Sequence, residues 1–259
     1  MADEPIQGYR RWLREQYDYE DGVSDHDYFD SVVNRLEAVV REPGGLWDQV
    51  SAVALDAHDS YQGLTRYPLL VGPLRPPGTK SYESFFSKTF RRNRLENVSW
   101  PAEPPDGWIE PSNWFETIHD LVRTTIVVKY LDGVKFLADR LASWSTTTTF
   151  NCDWRLEART EGYYAAHLKF SFPVTIPQRR LGSKQIGASL EVQITTQLQE
   201  VLRTHLHGRY ESNRMEPTVD PLAWQWDYSH PEFSINYLGH VLHYLEGKIL
   251  EVREKERSR

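Results

Sequence analysis

Cysteine is nearly missing from this chain: Cys152 is the only one among 259 residues. No internal disulfide can form, and a reducing, cytoplasmic compartment is expected. No apolar run approaches the roughly 20 residues that cross a bilayer, so no membrane is expected as a partner. The opening residues, MADEPIQGYRRW, are acidic and then basic with no apolar stretch, and no signal peptide is expected there. A surplus of positive charge is also lacking. Lys and Arg number 30 against 37 Asp and Glu, a net charge of −7. That balance argues against coating nucleic acid without regard to sequence, while leaving room for a local basic patch. Internal repeats and low-complexity tracts are absent. So are a Gly-x-Gly-x-x-Gly turn and a glycine-rich loop ending in Gly-Lys-Ser/Thr, which removes two familiar routes to a nucleotide phosphate.

What is present reads as an ordinary globular chain, 39% hydrophobic and 26% charged. Ser24 with Asp27 suggests a helix start. Phe29, Val32, Val33, Leu36, Val39 and Val40 follow at helical spacing until Pro43-Gly44-Gly45. A second helix is expected over Leu46–Tyr61. Pro68–Gly78, with four prolines and two glycines, reads as loop. A third helix is expected over Lys80–Arg94, and Pro101–Pro111 is again loop. Leu121–Tyr130, rich in β-branched residues, is the first strong strand. A helix over Val134–Leu141 follows, then strands near Asn151–Arg159, Tyr163–Ile176 and Leu190–Thr196. Helices over Gln197–Tyr210 and near Ile235–Val252 complete the chain, the latter with an apolar stripe of Ile235, Leu238, Val241, Leu242, Leu245, Ile249 and Val252. Short connections between the later strands require antiparallel pairing. The expected class is α+β: a small mixed, partly antiparallel β-sheet surrounded by helices.

Four polar clusters could carry chemistry. On the third helix, Lys80, Ser84, Lys88 and Arg91 fall within an arc of roughly 80° at about 100° per residue. Several cations on one face suit a polyphosphate, although a solvated basic face gives the same pattern. Asp120, at the start of the first strong strand, suits Mg²⁺, which takes one or two carboxylates plus phosphate oxygens and water; a turn cap is the plainer alternative. In Glu161-Gly162-Tyr163-Tyr164-Ala165-Ala166-His167, the glycine permits close backbone approach. Period two places Tyr163 and His167 away from the apolar set Tyr164, Ala166, Leu168 and Phe170. In Leu190–Thr196, Glu191, Gln193 and Thr195 share the face opposite Leu190, Val192 and Ile194. Glu and Gln side by side on a strand are unusual, and the solvent side of an edge strand is the plainer reading. The dipeptides His26-Asp27 and His119-Asp120 lack further metal ligands at structured spacing. His205 and His207, two apart on a helix, point to different faces.

In this order the clusters resemble the synthetase domain of the RelA/SpoT family, ATP pyrophosphokinases with a nucleotidyltransferase-like fold. The resemblance covers Lys80 to Tyr210: the KxxxSxxxK helix as Lys80, Ser84 and Lys88, the metal aspartate as Asp120, and GYxxxH as Gly162, Tyr163 and His167. The ExQIxT strand appears as Glu191, Gln193, Ile194 and Thr196, and HxxY as His207 and Tyr210. It implies a synthetase core over 76–212, between an N-terminal helical region (1–75) and a C-terminal one (213–259). It implies that Lys80, Ser84, Lys88, Arg91 and Arg123 hold ATP and that Asp120 and Glu191 bind Mg²⁺. Glu191 would also position or deprotonate the attacking hydroxyl. Tyr163 would stack on the acceptor base, with His167 and Gln193 beside it.

Departures concern arginines. Where the family carries them, this chain has Thr125, Thr195, Tyr164 and Gly78, with Arg123 and Arg75 the nearest substitutes. The expected activity is synthesis of a (p)ppGpp-type alarmone from GDP or GTP, without the hydrolase domain of the long family members. Alternatives are a toxin that modifies the 3′ adenosine of the tRNA acceptor end, held by an antitoxin protein, and a catalytically dead nucleotide- or RNA-binding module. For a tRNA reader, Arg179, Arg180 and Lys184 are the candidate basic surface. A homo-oligomer is compatible with the resemblance.

Overall fold

The computed structural model of the chain describes residues 3–179, 181–204 and 223–257. Three helices come first: α1 (Asp3–Tyr17), α2 (Val23–Val40) and α3 (Leu46–Thr65). The sequence pattern gives no separate signal for α1, whose fully buried apolar side chains reduce to Tyr9 and Leu13. α2 buries Phe29, Val32, Val33, Leu36 and Val40, as residues three and four apart share a face. Its cap is Gly22 rather than Ser24: the Asp25 carboxylate accepts from the Gly22 N–H at 3.3 Å, so the helix starts earlier.

Five strands form one sheet in the order β1-β2-β5-β4-β3. They are β1 (Gly78–Thr79), β2 (Val122–Val128), β3 (Asn151–Ala158), β4 (Tyr164–Pro177) and β5 (Ser183–Thr196). β2 and β5 run parallel and the other pairs antiparallel, so the sheet is mixed, as expected. β5 is central, which overturns the edge-strand reading of Glu191 and Gln193. β5 also begins at Ser183, well before the expected Leu190. Residues 183–189 have little β propensity of their own, and their pairing with β4 makes them strand. The hairpin of β4 and β5 therefore extends beyond both neighbouring strands.

Helix α6 (Leu131–Ser145) covers one face, burying Val134, Leu137, Ala138 and Leu141. Trp144 lies 6.0 Å from Phe170 of β4. α4 (Tyr82–Phe90) follows β1 and runs into a π-turn (Arg91–Leu95); α5 (Trp114–Thr117) precedes β2. Residues 197–204 form α7, and a 3₁₀ turn (Ala223–Trp226) precedes α8 (Pro231–Arg257). Arg253 of α8 donates to the Tyr61 hydroxyl at 2.7 Å and pairs with Asp132, tying α8 to α3 and α6. The apolar stripe of α8 is not its inner face. Leu238, Val241, Leu245, Ile249 and Val252 stay 45–57% exposed and Ile235 and Leu242 are half-buried, while Asn236, Glu246 and Arg253 are buried. Among the described residues no helix is long and apolar enough to cross a membrane.

Candidate active site

Strand register gathers the polar clusters on one face of the sheet, because residues opposite each other in neighbouring strands point the same way. Arg123, Glu191, Lys169 and Asp153 form one row across β2, β5, β4 and β3. Thr125, Gln193, His167 and Arg155 form the next. The opposite face carries Ile126, Leu190, Val192, Ile194, Leu168 and Phe170, all buried.

Asp120 stands in the turn just before β2. Its Oδ2 accepts from Lys80 Nζ at 2.7 Å and its Oδ1 from Lys88 Nζ at 2.8 Å. Lys80 does not lie in the helix, which starts at Tyr82 with Ser81 as its cap. It sits in the link from β1, where its N–H donates to the Leu121 carbonyl at 2.9 Å, and its side chain is only 8% exposed. Burial would push the Asp120 carboxyl up, but Lys88 and Lys80 outweigh it and hold it well below the usual carboxylate range. Burial pulls Lys80 down, with Asp120 opposing. Ser84 lies on α4, its N–H on the Ser81 hydroxyl. Arg91, at the end of α4, gives its charge to Glu96, its Nε 2.8 Å from that carboxylate.

Along the strands stands Glu191, partly buried. His167 Nδ1 lies 2.8 Å from its Oε1, and Gln193 donates to its Oε2 at 3.3 Å. His167 Nε2 faces the Tyr163 hydroxyl at 2.9 Å and Glu157 at 3.3 Å. The carboxylate is thus aimed by two side chains of the same face. Burial pushes the Tyr163 phenol up to about 12. The Arg159 guanidinium lies 5.1 Å over the Tyr163 ring, and Arg159 also pairs with Glu157.

His119 joins the two clusters. Its Nδ1 lies 3.2 Å from the Ser189 hydroxyl. Burial, then Lys169 and Lys88, hold it below its usual value, while Asp120 and Glu191 pull the other way. Dismissing His119-Asp120 as an incomplete metal motif hid this position. Glu157 and Arg159 were also missed; the strand period was their only signal, and the same period puts Lys169 on the face of Tyr163 and His167.

Some expectations are corrected. Gly162, at φ 76°, does make a close approach, but to α8. A Cβ there would lie 2.4 Å from the Asn236 carbonyl, and one on Gly239 would lie 2.4 Å from the Gly162 carbonyl. Tyr164, where the family carries an arginine, bonds His240 Nδ1 at 2.8 Å and stacks on His243. Thr195 donates to the Tyr164 carbonyl, and Arg75 reaches Glu200 at 3.4 Å. Arg179 pairs with Asp25 and lies over Tyr19 and Tyr28, and Lys184 pairs with Glu116. Both sit near the far end of the hairpin, roughly 45 Å from Tyr163 along a 14-residue strand. Arg180, His205, His207 and Tyr210 lie outside the described residues.

Among the described residues no group of three His, Cys, Asp or Glu side chains is placed to hold a metal ion. Asp120 and Glu191 each use only part of a carboxylate's roughly four acceptor sites. The donor set fits a hard ion that brings phosphate oxygens and water with it, not an all-protein cage.

The chain matches no model of a known protein family and no curated protein. Solved structures do match it. It is similar to the small alarmone synthetase 1 from Bacillus subtilis, solved with its product pppGpp, with TM-score 0.55 and 16% identity over 87% of this chain and 95% of that one. It is also similar to a GTP pyrophosphokinase family protein from Streptococcus pneumoniae, with TM-score 0.51 and 16% identity over 92% and 96%. The shared feature is the fold: a five-stranded mixed sheet flanked by helices, as in small alarmone synthetases.

Proposed function

We propose that this chain, built on the small alarmone synthetase fold, is an ATP-dependent pyrophosphokinase. It would move the β,γ-pyrophosphate of ATP to the 3′-hydroxyl of GDP or GTP. One observation carries the reading: a carboxylate gripped by two lysines just before β2 and a carboxylate aimed by a histidine and a glutamine on β5 both act on His119 between them.

The chemistry follows from the arrangement. The 3′-oxygen bonds to the β-phosphorus, the bond from that phosphorus to the α–β bridging oxygen breaks, and AMP leaves. Such transfer needs mainly positioning and charge stabilisation. A neutral hydroxyl is a poor nucleophile, and Glu191 takes or orients its proton. Lys80, the more buried lysine, stays on Asp120. Lys88, with its side chain 22% exposed, is the one free to turn toward phosphate. Arg123, exposed in the row of Glu191, serves the ATP side. Asp120 and Glu191 would hold Mg²⁺, which would supply positive charge to offset that of the phosphates. Tyr163 offers its ring to the acceptor base, and Arg159 already covers one side of it. Free guanosine nucleotide is favoured over tRNA because Arg179 and Lys184 are tied to Asp25 and Glu116.

The test is incubation of purified protein with Mg²⁺ and γ-labelled ATP, offering GDP, GTP, ADP and deacylated tRNA in parallel. Label on a guanosine nucleotide is expected. Label on tRNA alone would replace this reading with the toxin, and label on none would refute transferase activity.

A further inference from the structure

A cavity of about 330 Å³ lies where α6, β3, β4, α7 and α8 meet. It is at the lower end of the range typical for small-ligand pockets. Its walls are mostly hydrocarbon, with Leu131, Val134 and Leu156 among them.

Its polar groups are few, and two lack partners among the described residues. Glu246 is 5% exposed, and its Oε2 has no hydrogen-bond partner among the described residues. Burial pushes its carboxyl up, against a hydrogen bond with Thr196. His243 lies flat on Tyr164, 3.6 Å away at 1°. Its Nδ1 is also buried without a partner among the described residues, and burial holds the ring below its usual value. A buried polar atom without a partner is costly, more so when charged. The other polar liners are engaged. Lys135 pairs with Asp139 at 2.6 Å, Gln199 donates to the Gly239 carbonyl at 3.1 Å, and Glu157 pairs with Arg155 and Arg159. What remains is a carboxylate oxygen and an imidazole nitrogen, the latter an acceptor in the tautomer protonated at Nε2, beside an apolar chamber.

We propose that this cavity binds a small organic ammonium ion, its N–H donors at Glu246 and His243 and its apolar body against Leu131, Val134 and Leu156. Charge complementarity and the number of donors both select an ammonium over an alcohol or an anion. The cavity adjoins the transfer face through Glu157, which lines it and also touches His167. The proposal does not rest on the pyrophosphokinase reading and is tested without substrates.

Titration calorimetry of the full chain with benzylamine and with benzyl alcohol, which has the same shape without the charge, reads it directly. Benzylamine is expected to bind at least tenfold more tightly, and Glu246→Gln to remove that preference at unchanged side-chain size. A second variant, Leu156→Trp, fills the cavity from a position 56% exposed, and should abolish benzylamine binding even if Glu246→Gln does not fold. Binding of neither probe, equal affinity for both, an undiminished preference in Glu246→Gln or retained binding in Leu156→Trp would each overturn the proposal.

Discussion

Replacing Asp120 by asparagine keeps the side-chain size and removes one negative charge from between two ammonium groups. The Lys80 and Lys88 nitrogens lie 2.7 and 2.8 Å from it. At an effective dielectric of about 20, each attraction amounts to about 6 kcal/mol. Desolvation of the three ions cancels most of that. Removing one member of a buried pair usually costs about 3–5 kcal/mol, since its partner is left buried and uncompensated. Lys80 has nowhere to go at 8% exposure, whereas Lys88 at 22% can turn to water. The expected loss for Asp120→Asn is therefore about 3 kcal/mol at pH 7. Urea unfolding followed by tryptophan fluorescence measures it. The pH dependence has a fixed sign. The folded carboxyl titrates below its unfolded value, so its contribution is full above about pH 3.9 and is lost as pH falls through the folded value. The wild-type minus variant difference should be flat from pH 8 to 5 and shrink below about pH 4. A loss under about 1 kcal/mol at pH 7, or a difference that shrinks between pH 8 and 5, would refute the paired carboxylate.

Glu191→Gln should lower transfer by about 10²–10⁴-fold if the carboxylate acts as base, with little change in melting temperature; retained turnover would remove Glu191 from the mechanism. Tyr163→Ala should raise the KM for the acceptor far more than that for ATP, because stacking on a base is worth about 1–3 kcal/mol; equal rises would contradict its role. Gly239→Ala should destabilise by about 1–3 kcal/mol and speed hydrogen exchange in α8, since its Cβ meets the Gly162 carbonyl at 2.4 Å. Gly247→Ala, with open space around it, should not, and equal effects would refute the close crossing. His119 should titrate below about 6.5 by NMR, and Asp120→Asn should move it lower still by removing an attracting charge; an upward move would contradict the geometry.

Much of the machinery was legible in the chain because it rests on local periodicity. A period of two placed Glu191, Gln193, Tyr163 and His167 on the face away from the apolar residues, and the register of the sheet keeps those on the strands together. The spacing of Phe29 to Val40 and of Leu46 to Ala57 gave two helices whose buried residues agree with it. Boundaries failed where tertiary contact decided them. The strand before Leu190 exists because β4 pairs with it, and α1 holds its place through a few buried aromatic and aliphatic contacts.

The sequence by itself determined the class of fold and the supply of chemistry: two carboxylates, two lysines, a tyrosine and a histidine in one order along the chain. Side-chain alternation and helical spacing are short-range properties, so they survive in a bare string of residues. Only the tertiary structure decided the partners. Lys80 and Lys88 meet on Asp120 across 40 and 32 residues, and His167 aims Glu191 across 24. Arg91 is paired with Glu96, and Gly162 is reserved for the backbone of α8. These contacts depend on how elements distant in sequence cross in space, and no local pattern encodes that crossing.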